Sequence, residues 1–291
     1  MKEGSKNKGD KMDFRNIIKN KNSIREFNDK DLDRKTIDEL LKYASDIEPL
    51  QGDILIDFHF VEEGHKVHDF LLGDAGYHGM AIDAPHYLLL LSEKKPHYLK
   101  NAGYIMEQIL IKAYALGLGS CWIDVIVGID KLKKELGIAQ KGEIAAMAAL
   151  GYSKTNIFGI ETSVANRESM EELVYKEEWG QSMDLEEFRQ WGLEDVFYYA
   201  RHAPSWGNIQ PWKFILDEDK LILTILQKDP YILEDSKDKN HELDCGIIML
   251  YVEKMMHQQG IKGKWKLDMD KVNEEKYNIP DEYRIAGYFP I

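Results

Sequence analysis

The feature that most constrains this chain is a weak replay of its first half by its second. Leu41-Lys42-Tyr43-Ala44 is matched by Tyr198-Tyr199-Ala200, Gly117 through Trp122 by Gly260 through Trp265, and Ala149-Leu150-Gly151-Tyr152 by Ile285-Ala286-Gly287-Tyr288. Chance produces any one such match, but three in the same order argue for an internal duplication. The offsets fall from 156 (200 against 44) through 143 (260 against 117) to 136 (287 against 151), so the second copy keeps the order of elements while losing connection. A chain built this way is a fused dimer with its interface inside one polypeptide. The expected divisions are a flexible tail over 1–12, a first half over 13–170, an acidic connector over 171–184 and a shorter second half over 185–291.

Local patterning fills in the elements. Asp33 is an N-cap for a helix carrying Ile37, Leu40, Leu41 and Ala44 on one face and ending before Pro49. A strand is predicted over Ile56 to Val61, then a helix running towards Asp83, and after Pro85 a central strand in Tyr87 to Leu91, apolar throughout as a strand covered on both faces must be. Ala102, Ile105, Met106, Ile109, Ala113 and Leu116 form one helical stripe that stops at Gly117 and Gly119. Cys121-Trp122-Ile123 re-enters the sheet, and Ile144 to Leu150, short and apolar, reads as a buried strand. The fold class is α+β: a mixed or largely antiparallel sheet flanked by helices in each half, the halves packed as a pseudo-dimer.

Composition narrows the function classes. A chain of 291 residues with 44% hydrophobic residues can bury a substantial core. Lys and Arg total 38 against 51 Asp and Glu, and the formal charge of -13 repels nucleic-acid phosphates. Met1 to Lys11 is rich in Lys, Gly and Asn without an apolar block, unlike a signal peptide, and runs such as Tyr87 to Leu91 are too short to cross a bilayer. A cytoplasmic location is expected. The two cysteines, Cys121 and Cys245, lie far apart in apolar sequence, as reduced thiols do, and the histidines show no metal-binding pair at helical spacing.

Four clusters carry chemistry. Lys21, Asn22, Ser23 and Arg25 set a cation, a hydroxyl and a guanidinium close together, a phosphate grip or an ordinary helix end with surface charges. Ala203 to Trp212 is more unusual: two prolines stiffen a loop in which Ser205, Asn208 and Gln210 offer donors and acceptors suited to a heteroaromatic ring and its hydroxylated chain. Gly117 to Asp124 is a helix end feeding a strand. Asn166-Arg167 adds a late guanidinium that is either a phosphate ligand or a surface charge.

These segments resemble the nitroreductase family, which binds FMN in a dimer interface. A basic Arg-Ser-x-Arg-like segment and a Pro-Ser-x-x-Asn-x-Gln-Pro-Trp loop are both present, here split between the halves. The resemblance implies that Lys21, Asn22, Ser23 and Arg25 face the phosphate and ribityl chain. It implies too that Pro204, Ser205, Trp206, Asn208 and Gln210 approach the flavin from the other half, and that Arg167 completes the phosphate site. Trp122, Ile123 and Asp124 would pass beside the reactive ring, the Asp124 amide near N5. NAD(P)H would be the electron donor and a nitroaromatic or quinone the acceptor, with the flavin carrying the chemistry and no side chain acting as acid or base. Where the family often has Asn and Lys, this chain has Tyr77 and Met80. The second half carries Leu185-Glu186-Glu187-Phe188-Arg189 in place of a basic segment, and the first carries Ser45-Asp46-Ile47-Glu48-Pro49 in place of a recognition loop. One FMN per chain and a monomer are therefore expected. The rival readings are another flavin chemistry, such as reductive dehalogenation, and a non-catalytic flavin-binding protein.

Overall fold

The computed structural model describes residues 13–72, 81–124, 129–155, 157, 166–227, 237–268, 272 and 274–291. The tail over 1–12 and the positions of Tyr77 and Met80 lie outside the described residues.

The first half opens with α1 (Phe14–Asn20) and α2 (Arg34–Ser45), each begun by an aspartate: the Asp13 side chain accepts from the Asn16 amide and the Asp33 side chain from that of Thr36. Then follow β1 (Ile56–Val61), α3 (Gly64–Leu71), β2 (His86–Ser92), α4 (Tyr98–Ala115), β3 (Gly119–Trp122), α5 (Ile129–Glu135) and β4 (Glu143–Gly151). The sheet is antiparallel in the order β1-β2-β4-β3. Tyr87 to Leu91 have no exposed surface, because β2 is covered on both faces and its apolar run has no polar side to turn outward.

After α6 (Met170–Leu173), the chain forms β5 (Val174–Lys176), α7 (Leu185–Gln190), α8 (Glu194–Ala200), β6 (Trp212–Asp217), β7 (Lys220–Leu226), α9 (Lys237–Gln258) and β8 (Tyr283–Pro290). The second sheet runs β5-β6-β7-β8, with β5 parallel to β6 and the other pairs antiparallel. The stretch between the halves thus supplies an edge strand: β5 leaves the first half and pairs into the second half's sheet.

The central pairs of the two sheets, β2–β4 and β7–β8, correspond. In β2 and β4 the register skips at Ala145, and in β7 and β8 it skips at Ala286. Setting the two bulges together pairs Leu91 with Thr224 and Ala146 with Gly287. The same alignment sets the backbone bond Ile123 N to Met147 O (3.0 Å) against Lys266 N to Tyr288 O (2.8 Å). The last strands are therefore offset by 141 residues (287 against 146), not by the 136 that the Gly-Tyr dipeptides suggest; a two-residue sequence match is weaker evidence of register than a shared bulge. The offset of 143 through α4 and α9 holds. Both helices end on a left-handed glycine, Gly117 (φ 82°) and Gly260 (φ 83°). Leu118 N bonds Ala113 O at 2.9 Å and Ile261 N bonds Met256 O at 3.0 Å, the same C-terminal closure twice.

α4 and α9 pack against each other at the centre, and one hydrophobic core runs through both halves across them. This is why α4 is buried on nearly every side, polar positions included. Among the described residues no helix is long and apolar enough to cross a membrane. Cys121 and Cys245 are both buried free thiols.

Candidate functional site at the junction of the halves

The segment after α1 runs alongside β3. Ser23 bridges Ser120 in parallel, and Ile24 N bonds Ser120 O at 2.9 Å. Burial pushes the Cys121 thiol up, while the charges of Arg25 and Lys21 and a hydrogen bond from Ser23 pull it back. The Asn22 amide donates to Asn20 O at 3.0 Å and closes the end of α1. Ser23 and Arg25 keep exposed side chains, and Arg25 forms no ion pair with any described residue.

Lys21 has a partner that sequence patterning does not reveal. Its Nζ lies 2.9 Å from Oε1 of Glu107, with the lysine side chain 8% exposed and the glutamate 0%. Trp122 Nε1 donates to Glu107 Oε2 at 2.8 Å and the Tyr251 hydroxyl to Oε1 at 2.9 Å. One carboxylate on α4 thus gathers the basic segment, β3 and α9, and Lys21 enters the site as half of a neutral pair. A buried carboxylate is tolerable only with this degree of pairing. Glu107 falls off the apolar stripe of α4 and so reads in sequence as a surface residue.

The recognition loop is held from both sides. Ser205 Oγ accepts from Gln210 N (2.9 Å), while Asn208 Nδ2 and Gln210 Nε2 both donate to Asn166 O, at 3.0 and 3.2 Å. Gln210 Oε1 accepts from Glu168 N (3.1 Å), and Arg167 Nη1 donates to Ala203 O (2.6 Å). Arg167 therefore clamps the loop. Gly207, Asn208 and Gln210 all take positive φ (55°, 58° and 53°), a strain that two non-glycine residues bear only because these bonds fix the loop. Pro204 precedes this turn, half-buried.

Asp124 and Asp244 meet the loop at Trp206. The Trp206 amide donates to both carboxylate oxygens of Asp244, at 3.2 and 3.0 Å, and its side chain hydrogen-bonds to Asp124. Asn240 Nδ2, one turn before Asp244 on α9, donates to Asp124 Oδ2 at 3.2 Å. Burial raises the Asp124 carboxyl and holds that of Asp244 well above the usual carboxylate range, with the charge of Asp124 adding to the effect. Ile123 is buried beside them. Asn240 and Asp244 escape a sequence reading because only the packing of α9 against the first half brings them to β3.

The pseudo-symmetric position is built differently. There Lys264 pairs with Glu48, tying the loop after α2 to the segment after α9. Leu185 to Arg189 lies in α7, where Glu187 bonds Lys176 at 2.7 Å and Arg189 bonds Glu194 at 2.9 Å, and only Trp191 to Leu193 separates α7 from α8.

The first position fits the FMN that the resemblance implies in the chemistry of its donors. Ser23 and Arg25 are open to an anion beside β3, and Asn208 Oδ1 is a buried acceptor without a hydrogen-bond partner among the described residues, as a ring or ribityl donor would require. A family model described as "Putative TM nitroreductase" matches residues 13–276. Among solved structures, one described as a "putative nitroreductase" from Thermotoga maritima MSB8 is similar over 94% of this chain and 92% of that one, with 14% identity and a TM-score of 0.56. An "FMN-dependent Nitroreductase" from Clostridium difficile R20291 is 24% identical over 48% of this chain and 87% of its own, with a TM-score of 0.43. An oxidized iodotyrosine deiodinase bound to FMN and 3-iodo-L-tyrosine is 16% identical over 48% of this chain and 89% of its own, with a TM-score of 0.41. No curated protein sequence matches the chain.

Proposed function

This chain belongs to the nitroreductase family described as "Putative TM nitroreductase", and from that premise we propose that it is a flavin oxidoreductase holding one FMN between its halves. The observation that carries the reading is one-sidedness. Trp122 to Asp124 from the first half and the loop 203–210 from the second meet at one junction, with an unpartnered buried acceptor on Asn208, whereas the related junction is closed by Glu48 and Lys264. Ser23 and Arg25 would hold the phosphate, with Lys21 fixed beside them by Glu107; Asn208 and Ser205 would meet the ring and its chain. FMN held there would supply hydride chemistry between NAD(P)H and a quinone, nitroaromatic or similar acceptor. The protein's part is to orient the ring between β3 and the loop and to keep water from it. With the pseudo-dimer interface internal, the working unit is a monomer, and the cytoplasm is its expected compartment.

The test is the visible spectrum of the purified protein, with the cofactor released by denaturation and identified by chromatography. FMN near one per chain supports the reading. No flavin even after incubation with excess FMN refutes it, and a ratio near two refutes the single site.

A further inference from the structure

The chain contains its own control for the site. At the offset of 143 shared by α4 and α9, Asp244 corresponds to Asn101, and Asp124, through the matched 123 and 266 backbone bonds, corresponds to Leu267. Asn101 does the same structural task as Asp244: its Oδ1 accepts from the Gln51 amide at 3.0 Å, in the loop that corresponds to the one bearing Trp206. Leu267 is simply buried apolar surface. An amide therefore suffices to hold the loop, and the fold does not need an acid at either position. Yet on the open side two carboxylates are placed on one tryptophan, and neither forms an ion pair with any described residue. The groups facing them are Asn240 and the Lys239 ammonium on α9 for Asp124, and Trp206, Asp124 and the Cys245 thiol for Asp244. Two neighbouring carboxylates out of water cannot both ionise cheaply, and a group kept at that cost without a structural need marks a function.

We propose that the carboxyls gathered on Trp206, Asp244 and Asp124, are a proton store, and that Asp124 passes a proton to the oxygen of a carbonyl or nitro acceptor bound beside Trp206. The reading rests on the flavin oxidoreductase assignment. Asp124, the more exposed of the two, is the outlet, and Asp244, 4% exposed, is the reservoir. For a quinone the balance is simple. The reduced cofactor supplies the hydride and hence both electrons. The carboxyl O–H bond breaks, the acceptor oxygen gains that proton, and a hydroquinone leaves. The carboxylate then regains a proton from water at Asp124.

Asp244→Asn and Asp124→Asn test this, since Asn is what the chain itself uses at position 101. Infrared spectroscopy of the purified protein at neutral pH, without added flavin, should show a protonated carboxyl band that shifts in deuterium oxide, is lost in Asp244→Asn and is moved but kept in Asp124→Asn. Wild type lacking that band, or Asp124→Asn leaving it unmoved, overturns the proton store, whatever the flavin result. In the FMN-loaded protein, Asp124→Asn should slow quinone reduction at least tenfold more than it slows bleaching of the flavin by the nicotinamide donor, and should remove the fall in quinone-reduction rate at alkaline pH. Equal loss of both half-reactions, or of neither, overturns proton delivery. Failure of wild type to bind FMN overturns the function proposed above and with it proton delivery, and leaves the infrared band to decide on the pair.

Discussion

Gly103 and Gly246 are counterparts across the centre of the molecule, each packed against the turn that precedes the other. A Cβ on Gly103 would lie 2.9 Å from the carbonyl carbon of Leu243 and closer still to its oxygen; a Cβ on Gly246 would lie 2.8 Å from the carbonyl carbon of Lys100, again closer to the oxygen. Lys100 and Leu243 are themselves related by the same 143 residues, so the contact is isologous, as at the two-fold axis of a homodimer. Backbone on each side leaves no side chain to move aside. Gly103→Ala and Gly246→Ala should each destabilise the whole protein by about 3 kcal/mol or more, without separating the halves into independent transitions. The double variant should cost less than the sum, because the first substitution has already pushed the helices apart. Urea unfolding followed by fluorescence and circular dichroism checks both points; a variant within about 0.5 kcal/mol of wild type would mean that the two helices do not cross this closely.

The Glu107 network makes a different prediction. Its counterpart at the same offset is Leu250, and the matching tryptophan, Trp265, satisfies its ring N–H on Met249 O at 2.8 Å without any carboxylate. Glu107→Leu alone strands the Lys21 ammonium in a nearly closed pocket and should cost roughly 3–5 kcal/mol. Combined with Lys21→Met, only the part of that loss due to the stranded ammonium should return, since Trp122 Nε1 and the Tyr251 hydroxyl still lose their acceptor. A double-mutant cycle on unfolding free energies measures the difference. If both the single and the double variant are equally destabilised, the ion pair is not what holds this corner together.

Much of this was legible in the residues. β1, β2, β4 and the helices ending at Ser45 and Ala115 follow from apolar period, an aspartate cap and C-terminal glycines, all local signals. The loop after α8 stood out because Pro204, Asn208 and Gln210 have no purpose in an ordinary connection. Glu107, Tyr251, Asp244 and β5 were not legible, for one shared reason: each takes its meaning from the packing of one half on the other. Patterning places Glu107 off the apolar face of α4, and only the presence of α9 turns that face inward. One long-range signal was available. Gly103 precedes the capping Gly117 by the same spacing as Gly246 precedes Gly260, and a glycine repeated inside two helices at one spacing indicates close helix contact.

His202 gives a pH dependence of known sign. Burial, followed by the charges of Arg201, Arg167 and Lys19, lowers its pKa to about 4, below the value of 6.5 for an unperturbed imidazole. Between those values the unfolded chain binds a proton that the folded chain refuses. This group's contribution to stability is thus fully present above pH 6.5 and is lost progressively as the pH falls towards 4. The urea midpoint should drop between pH 7 and pH 5, and His202→Asn should flatten that drop while the rest of the acid profile persists. An imidazole titrating near 6.5 by NMR in the folded protein would refute the argument.

Asp244 carries the opposite sign. Its carboxyl is raised by burial and by Asp124, so the folded state binds a proton that the unfolded state has already released above the ordinary carboxylate range. Stability from this group is complete below the unfolded pKa and falls as the pH rises towards the folded one. Asp244→Asn keeps an acceptor for the Trp206 amide, as Asn101 does for Gln51, and removes the penalty. It should therefore raise the melting temperature more at pH 8 than at pH 5, by about 2–4 °C, the shift that roughly 1 kcal/mol produces in a chain of this size. A gain of equal size at both pH values would trace the stabilisation to packing instead of to a proton. A loss at both would mean that the buried asparagine Nδ2 goes without an acceptor, as that of Asn101 does among the described residues, and the acid at this position would then need no function to explain it.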